Sequence, residues 1–301
     1  MRTDTTTVAG LAMRSLVGGD GDPLVMLHHS FGNPGWMPVH DTLATSRTVH
    51  ALDLPGYGGP EGSERPDWAR HPRDLALLVG QWLRIRNLGP VELVGCGFGG
   101  WVAAELATMA PELLKQLVLV GAAGLLPPQG RILDQFLISH SGYVRAAFSR
   151  PEAYEAIYPA TGTDDTARSE ATGTDDTARS EATGTDDGEP TVGDSTLVAW
   201  DMNREMTTRV AWKPYMYNRR LHPLLSGVNV PTVLVWGDRD EVVPLECAHA
   251  YLEALPEASL EVVPNCGHAV DLENPEALAA IITATTATTA KTSPALTGGI
   301  R

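Results

Sequence analysis

The chain has 301 residues, 43% of them hydrophobic, and a formal net charge of −15. That suffices for one large α/β domain, or a core with a lid, around a sizeable apolar core. There is no basic stripe to neutralise phosphates, which excludes a nucleic-acid partner.

Residues Met1–Thr7 lack the apolar run of a secretory signal, and no stretch reaches the ~18 apolar residues of a membrane span. Cysteines 96, 247 and 266 are too few, and odd in number, for a disulfide framework. The expectation is a cytoplasmic protein with no membrane partner. Val8–Val17 reads as an opening strand or hairpin and Gly18–Asp22 as a turn. Pro23–His29 reads as a buried strand followed by the loop Ser30–Gly35. Thr48–Leu54 is another strand, and the apolar spacing of Leu75, Leu77, Leu78, Trp82 and Leu83 predicts a helix over 73–86.

Val91–Val94 is a strand, Gly95, Gly97, Gly99 and Gly100 form a sharp turn, and Trp101–Ala110 is a helix. Two readings fit this stretch. Gly95, Gly97 and Gly100 satisfy a dinucleotide-binding fingerprint. That fingerprint expects a carboxylate about 20 residues on. The next strand, Leu117–Val120, instead runs into Gly121-Ala122-Ala123-Gly124. The other reading is a nucleophile elbow. The alternation of strands and helices indicates a mostly parallel sheet covered on both faces.

The elbow closely resembles that of the α/β-hydrolase superfamily, Gly-x-Ser-x-Gly, with Gly95 and Gly99 as the outer glycines and Gly97 where the family carries serine. Four more segments extend the resemblance in the right order. His28-His29-Ser30-Phe31-Gly32 lies where the family has His-Gly and its oxyanion loop, with His29 replacing the glycine. Asp53-Leu54-Pro55-Gly56-Tyr57-Gly58 matches Asp-x-Pro-Gly-x-Gly. Val230–Asp240 is similar to the strand and loop that present the catalytic acid, Asp240, and Val263–His268 to the loop that bears the catalytic histidine, His268. The fold implied is an α/β-hydrolase core over 1–124 and 226–285 with a helical cap inserted at 125–225.

The cap reads as helical over Ile132–Phe148 and Leu197–Leu225. It is rich in aromatics (Trp200, Trp212, Tyr215, Tyr217) that either pack it onto the core or line an apolar pocket. Within it, the eleven-residue unit Thr161–Ala171 recurs from Thr172 and begins again at Thr183. Residues 161–190 hold six Asp and three Glu against two Arg, a net −7. Such a unit has almost nothing to bury and is expected to be disordered. So is the Thr- and Ala-rich tail from Thr283, including 286–301.

In the family Ser, His and Asp act as one unit. Asp240 and His268 supply the acid and base, and backbone N–H groups of Phe98 and of Ser30 or its neighbour supply an oxyanion hole. Gly97 has no hydroxyl, so no acyl-enzyme forms there; loss of such a serine costs on the order of a millionfold. Cys96 points away from the elbow, and Ser30 as nucleophile requires His268 within reach. His28 and His29 alternate faces, so one of them points to the pocket, and no third ligand completes a metal site with His268.

No metal and no cofactor are expected, and the partner is a small to medium apolar carbonyl compound. Three functions stay open. The first is a His–Asp general base without a covalent intermediate, as in the hydroxynitrile lyases and cofactor-free dioxygenases that the chain resembles. The second is a non-catalytic binder or scaffold, in which the Asp–His hydrogen bond merely joins two loops. The third is an esterase-type hydrolase whose serine has been replaced.

Overall fold

The computed structural model describes residues 1–159 and 192–292. The acidic repeat at 161–190 and the last nine residues of the tail lie outside the described residues. Eight strands form one sheet: β1 (Arg2–Val8), β2 (Leu11–Gly18), β3 (Asp22–Leu27), β4 (Arg47–Leu52), β5 (Val91–Cys96), β6 (Leu114–Val120), β7 (Thr232–Gly237) and β8 (Ala258–Val263). Their order is β1-β2-β4-β3-β5-β6-β7-β8. β2 pairs antiparallel with β1 and β4, and every other pairing is parallel. The helices are α1 (Pro38–Leu43), α2 (Pro72–Ile85), α3 (Phe98–Met109), α4 (His140–Ala146), α5 (Pro151–Ile157), α6 (Val192–Ala211), α7 (Leu221–Leu225), α8 (Leu245–Ala254), α9 (Val270–Glu273) and α10 (Pro275–Thr292).

Successive residues of a strand face opposite sides of the sheet, and both sides are apolar here. Val25, Leu27, Leu93, Leu117 and Leu119 pack with Trp82 of α2 and Trp101 and Val102 of α3. Leu24, Met26, Val94, Val118, Val233 and Val235 pack with Val39 and Leu43 of α1 and with Leu278 and Ile282 of α10. Strands buried on both faces must read as continuous apolar runs, as β3, β5 and β7 do. Among the described residues no helix is long and apolar enough to cross a membrane.

Three expectations are corrected. Of Ile132–Phe148, only His140–Ala146 forms α4. The stretch before it satisfies its backbone through tertiary partners: Leu133 N–H donates to Val242 O at 2.8 Å, Gln135 N–H donates to the Tyr215 hydroxyl, and that hydroxyl donates to Leu133 O. The span 197–225 is split into α6 and α7, because Pro214 lacks an N–H and Met216 has φ 57°. The tail is helical through Thr292. Buried Leu278, Ala279 and Ile282 anchor that helix, and the Thr283 and Thr285 hydroxyls donate to the carbonyls of Ala279 and Ile281.

Between β6 and β7 the described elements are all helices. Their aromatics pack among themselves: Trp200 stacks on His140 at 5.3 Å, and Trp212, 54% exposed, meets Phe136 edge-on. α6 also reaches the sheet loops. Asn203 Nδ2–H donates to Phe31 O at 2.8 Å, and Asn203 Oδ1 accepts from Gly58 N–H at 3.0 Å.

Candidate active site

The carboxyl ends of β3, β5, β6, β7 and β8 lie along one edge of the sheet, the edge at which open α/β folds bind ligands. Leaving β5, the chain turns at Gly97 with φ 54° and ψ −112°, and α3 starts at Phe98. This is a backbone region that glycine adopts far more readily than other residues. The Phe98 N–H is the first of α3 and has no intrahelical acceptor.

His268 and Asp240 meet here. His268 Nδ1 lies 2.9 Å from Asp240 Oδ2, and both side chains are buried. The other carboxylate oxygen accepts from Val242 N–H at 2.9 Å and Val243 N–H at 2.8 Å, so Asp240 is fixed on both sides. With Nδ1–H donated to the carboxylate, Nε2 of a neutral ring carries the lone pair. A Cβ on Gly97 would lie 2.8 Å from that Nε2. A Cβ on Gly121, at the end of β6, would meet His268 Nδ1 at 2.9 Å, so the ring is held between two glycines.

His29 comes to the same place from the β3 loop. A Cβ on Gly97 would stand 2.6 Å from its Nδ1. The His29 and His268 rings are 4.8 Å apart and inclined by 61°. His29 Nε2 lies 2.7 Å from Oδ1 of Asp271 in α9. Burial alone raises the Asp271 carboxyl, but the His29 imidazole, hydrogen bonds and His40 together outweigh it and hold it below the ordinary carboxylate range. His28 turns the other way. Its Nδ1–H donates to His29 O at 2.7 Å, and its Nε2 accepts from Leu54 N–H at 3.0 Å. Burial pushes His28 below the ordinary imidazole range, so it is a neutral tie between two loops.

Ser30 is engaged elsewhere: its hydroxyl donates to the Tyr143 hydroxyl of α4 at 3.1 Å. Cys96 is buried, and burial, the charge of Asp271 and a hydrogen bond to it hold its thiol well above the usual range, which makes it a poor nucleophile. Ligating atoms of His29, Cys96 and Asp271 lie within 4.8 Å of one another, beside a void of about 20 Å³. By residue type this is a possible metal donor set. This is not the set weighed from the sequence, since it includes His29 but neither His28 nor His268. Asp271, however, already takes hydrogen bonds from His29 Nε2 and Cys96.

Asp271 and Glu273 escaped sequence reasoning. Glu273 accepts from Gly267 N–H at 2.7 Å, from the Ser149 hydroxyl at 2.6 Å and from Arg150, pinning the residue before His268. Two acids spaced i, i+2 in a four-residue helix carry no motif. The available signal was their position just after the histidine loop.

Comparison with known proteins places this architecture. The model of the alpha/beta hydrolase family matches residues 5–281. A 2-hydroxy-6-oxo-6-(2'-aminophenyl)hexa-2,4-dienoic acid hydrolase from Metapseudomonas resinovorans is 25% identical over 89% of this chain and 84% of its own. A pimeloyl-[acyl-carrier protein] methyl ester esterase from Nitrosomonas europaea is 27% identical over 86% of this chain and 93% of its own. Among solved structures, a serine hydrolase involved in carbazole degradation superposes with a TM-score of 0.69 at 22% identity, covering 95% of this chain and 99% of that one. The chain belongs to the alpha/beta hydrolase family.

Proposed function

We propose that the chain binds a small to medium apolar carbonyl compound beneath the cap formed by the helices between β6 and β7. His268, oriented by Asp240, acts on it as general base with no serine nucleophile. The observation that carries this reading is the 2.8 Å between His268 Nε2 and the point where a side chain at position 97 would begin. The base faces the place from which a serine would have reacted, so its Nε2 is left to a substrate or a water rather than to a side chain at 97. The His268 and Asp240 side chains are almost fully buried, which strengthens every charge interaction on a bound substrate. The Phe98 N–H and the β3 loop supply the polarising donors. The hydrolases similar to this chain act on an ester and on a hydroxy-oxo-dienoic acid, both carbonyl compounds.

A hydrolase that merely lacks its serine is less well supported, because His29 fills the space a residue at 97 would need. A cytoplasmic setting accords with three free, buried cysteines.

The test is exchange of α-hydrogens for deuterium in small ketones and 1,3-diketones, followed by proton NMR. The native chain is expected to exceed buffer, and His268→Ala to lose ~10²–10⁴-fold. Exchange undiminished in His268→Ala would contradict the reading.

A further inference from the structure

The general-base role of His268 leaves the second imidazole without a task. A carboxylate only accepts, so the nitrogen of His29 that faces Asp271 carries a hydrogen, and Nδ1 is the nitrogen able to exchange a proton. Nδ1 is buried and has no hydrogen-bond partner among the described residues. The His29 residue is 1% exposed. Its Nδ1 and the Nε2 of His268 come within 2.6 and 2.8 Å of one point over Gly97. Each ring is backed by a carboxylate on its other nitrogen. Around His29 stand Phe31, stacked at 4.8 Å, His28 beside it in the chain, Cys96 and Asp271 behind, and His268 across. His40 acts on Asp271 from beyond. Both departures from the family pattern, glycine at 97 and histidine at 29, serve this one arrangement.

We propose that His29 and Asp271 form a second catalytic dyad, the acid opposite the base His268, and that the site moves a proton between carbon and oxygen of a ketone or its enol. This rests on the base role proposed for His268 and names the substrate class. Nε2 of His268 takes a proton from the carbon beside the carbonyl. The C–H electron pair becomes the C=C bond of the enol, and the carbonyl oxygen takes the Nδ1 proton of His29. His268 ends protonated and His29 neutral, its Nε2–H still on Asp271. Return of one proton from His268 to His29 resets the pair, and no other reactant is consumed.

The probe is 1-phenylbutane-1,3-dione, its keto–enol interconversion followed by ultraviolet absorbance for the native chain, His29→Gln, Asp271→Asn and His268→Gln. The proposal expects His29→Gln to lower kcat ~10²-fold or more with little change in KM, and to remove one limb of the pH–rate profile. If His29→Gln keeps rate and profile while His268→Gln loses both, the second dyad falls and the general base stands. If neither substitution matters, both fall. A measurement independent of turnover decides should the probe not react: nitrogen-15 spectra of the histidine side chains of the native chain and of His268→Gln. Expected is a His29 that carries its hydrogen at Nε2, on Asp271, with an Nδ1 resonance that moves when His268 is lost. A His29 that carries its hydrogen at Nδ1 instead, or whose Nδ1 resonance ignores the loss of His268, overturns the proposal.

Discussion

Across Gly97 two histidines face each other, and they reach it by different routes. His268 and its acid lie 28 residues apart, on the loops after β8 and β7. His29 and its acid are separated by 242 residues. The first pair is held by backbone: two N–H groups fix Asp240, and Gly97 and Gly121 bracket the ring. The second is held by side chains, with Phe31 stacked on the ring and Cys96 on the acid. The lesson is that the glycine at 97 and the histidine at 29 are packed as one unit. A Cβ at 97 and the present His29 ring cannot share the space, since carbon and nitrogen would stand 2.6 Å apart.

The comparison breaks most visibly at the backbone-held pair. Asp240→Asn leaves the shape intact but favours the wrong tautomer of His268, and α-hydrogen exchange is expected to fall nearly as far as on loss of the base itself, ~10²–10⁴-fold. An unchanged exchange rate would remove the base role. Next in size is acid sensitivity, concentrated on the β3–β4 side. Burial holds His28 below its ordinary 6.5 and pushes His40 and His50 to about 4; His140 in α4 is also pushed to about 4. The unfolded chain therefore binds more protons than the folded one between about pH 6.5 and 4, and stability is lost as pH falls through that window. His40, His50 and His140 each contribute up to ~2 kcal/mol of loss at pH 5. Calorimetry should show a Tm lower at pH 5 than at pH 7, and a flat profile would contradict the buried neutral histidines.

A smaller effect sharpens the division between the adjacent histidines. His28→Phe strands the Leu54 N–H and should cost ~1–3 kcal/mol by chemical denaturation, with exchange activity kept per folded molecule. The smallest effect links the two sides through α9, which carries both Asp271 and Glu273. Glu273→Gln loosens the loop before His268 and should lower kcat several-fold while leaving KM alone; a loss as large as that of His268→Ala would give Glu273 a more direct role.

Much of this was legible in the sequence, because local chemistry wrote it there. Apolar runs marked the strands β3, β5 and β7, glycines marked the turn at 97, and Gly-Asp-Arg-Asp and Asn-Cys-Gly-His marked the two loops of the first pair. The Asp271–His29 contact was not legible, since no local rule joins a short helix to a loop so far away in the chain. The coil at 126–139 was hidden for a similar reason: Val242 and Tyr215, remote in sequence, satisfy its backbone. α10 was hidden because its Thr hydroxyls bond back to their own helix, a pattern that composition alone reads as loop.

The measurement that bears most directly on the packing of His29 against Gly97 is aryl-ester hydrolysis by Gly97→Ser and by Gly97→Ser/His29→Gly, each checked for folding. The account predicts that serine alone stays near the background of the native chain, because His29 blocks its place. With His29 removed, the same serine should give a burst of acyl-enzyme that depends on His268. A full burst from Gly97→Ser alone, with His29 in place, would contradict the account.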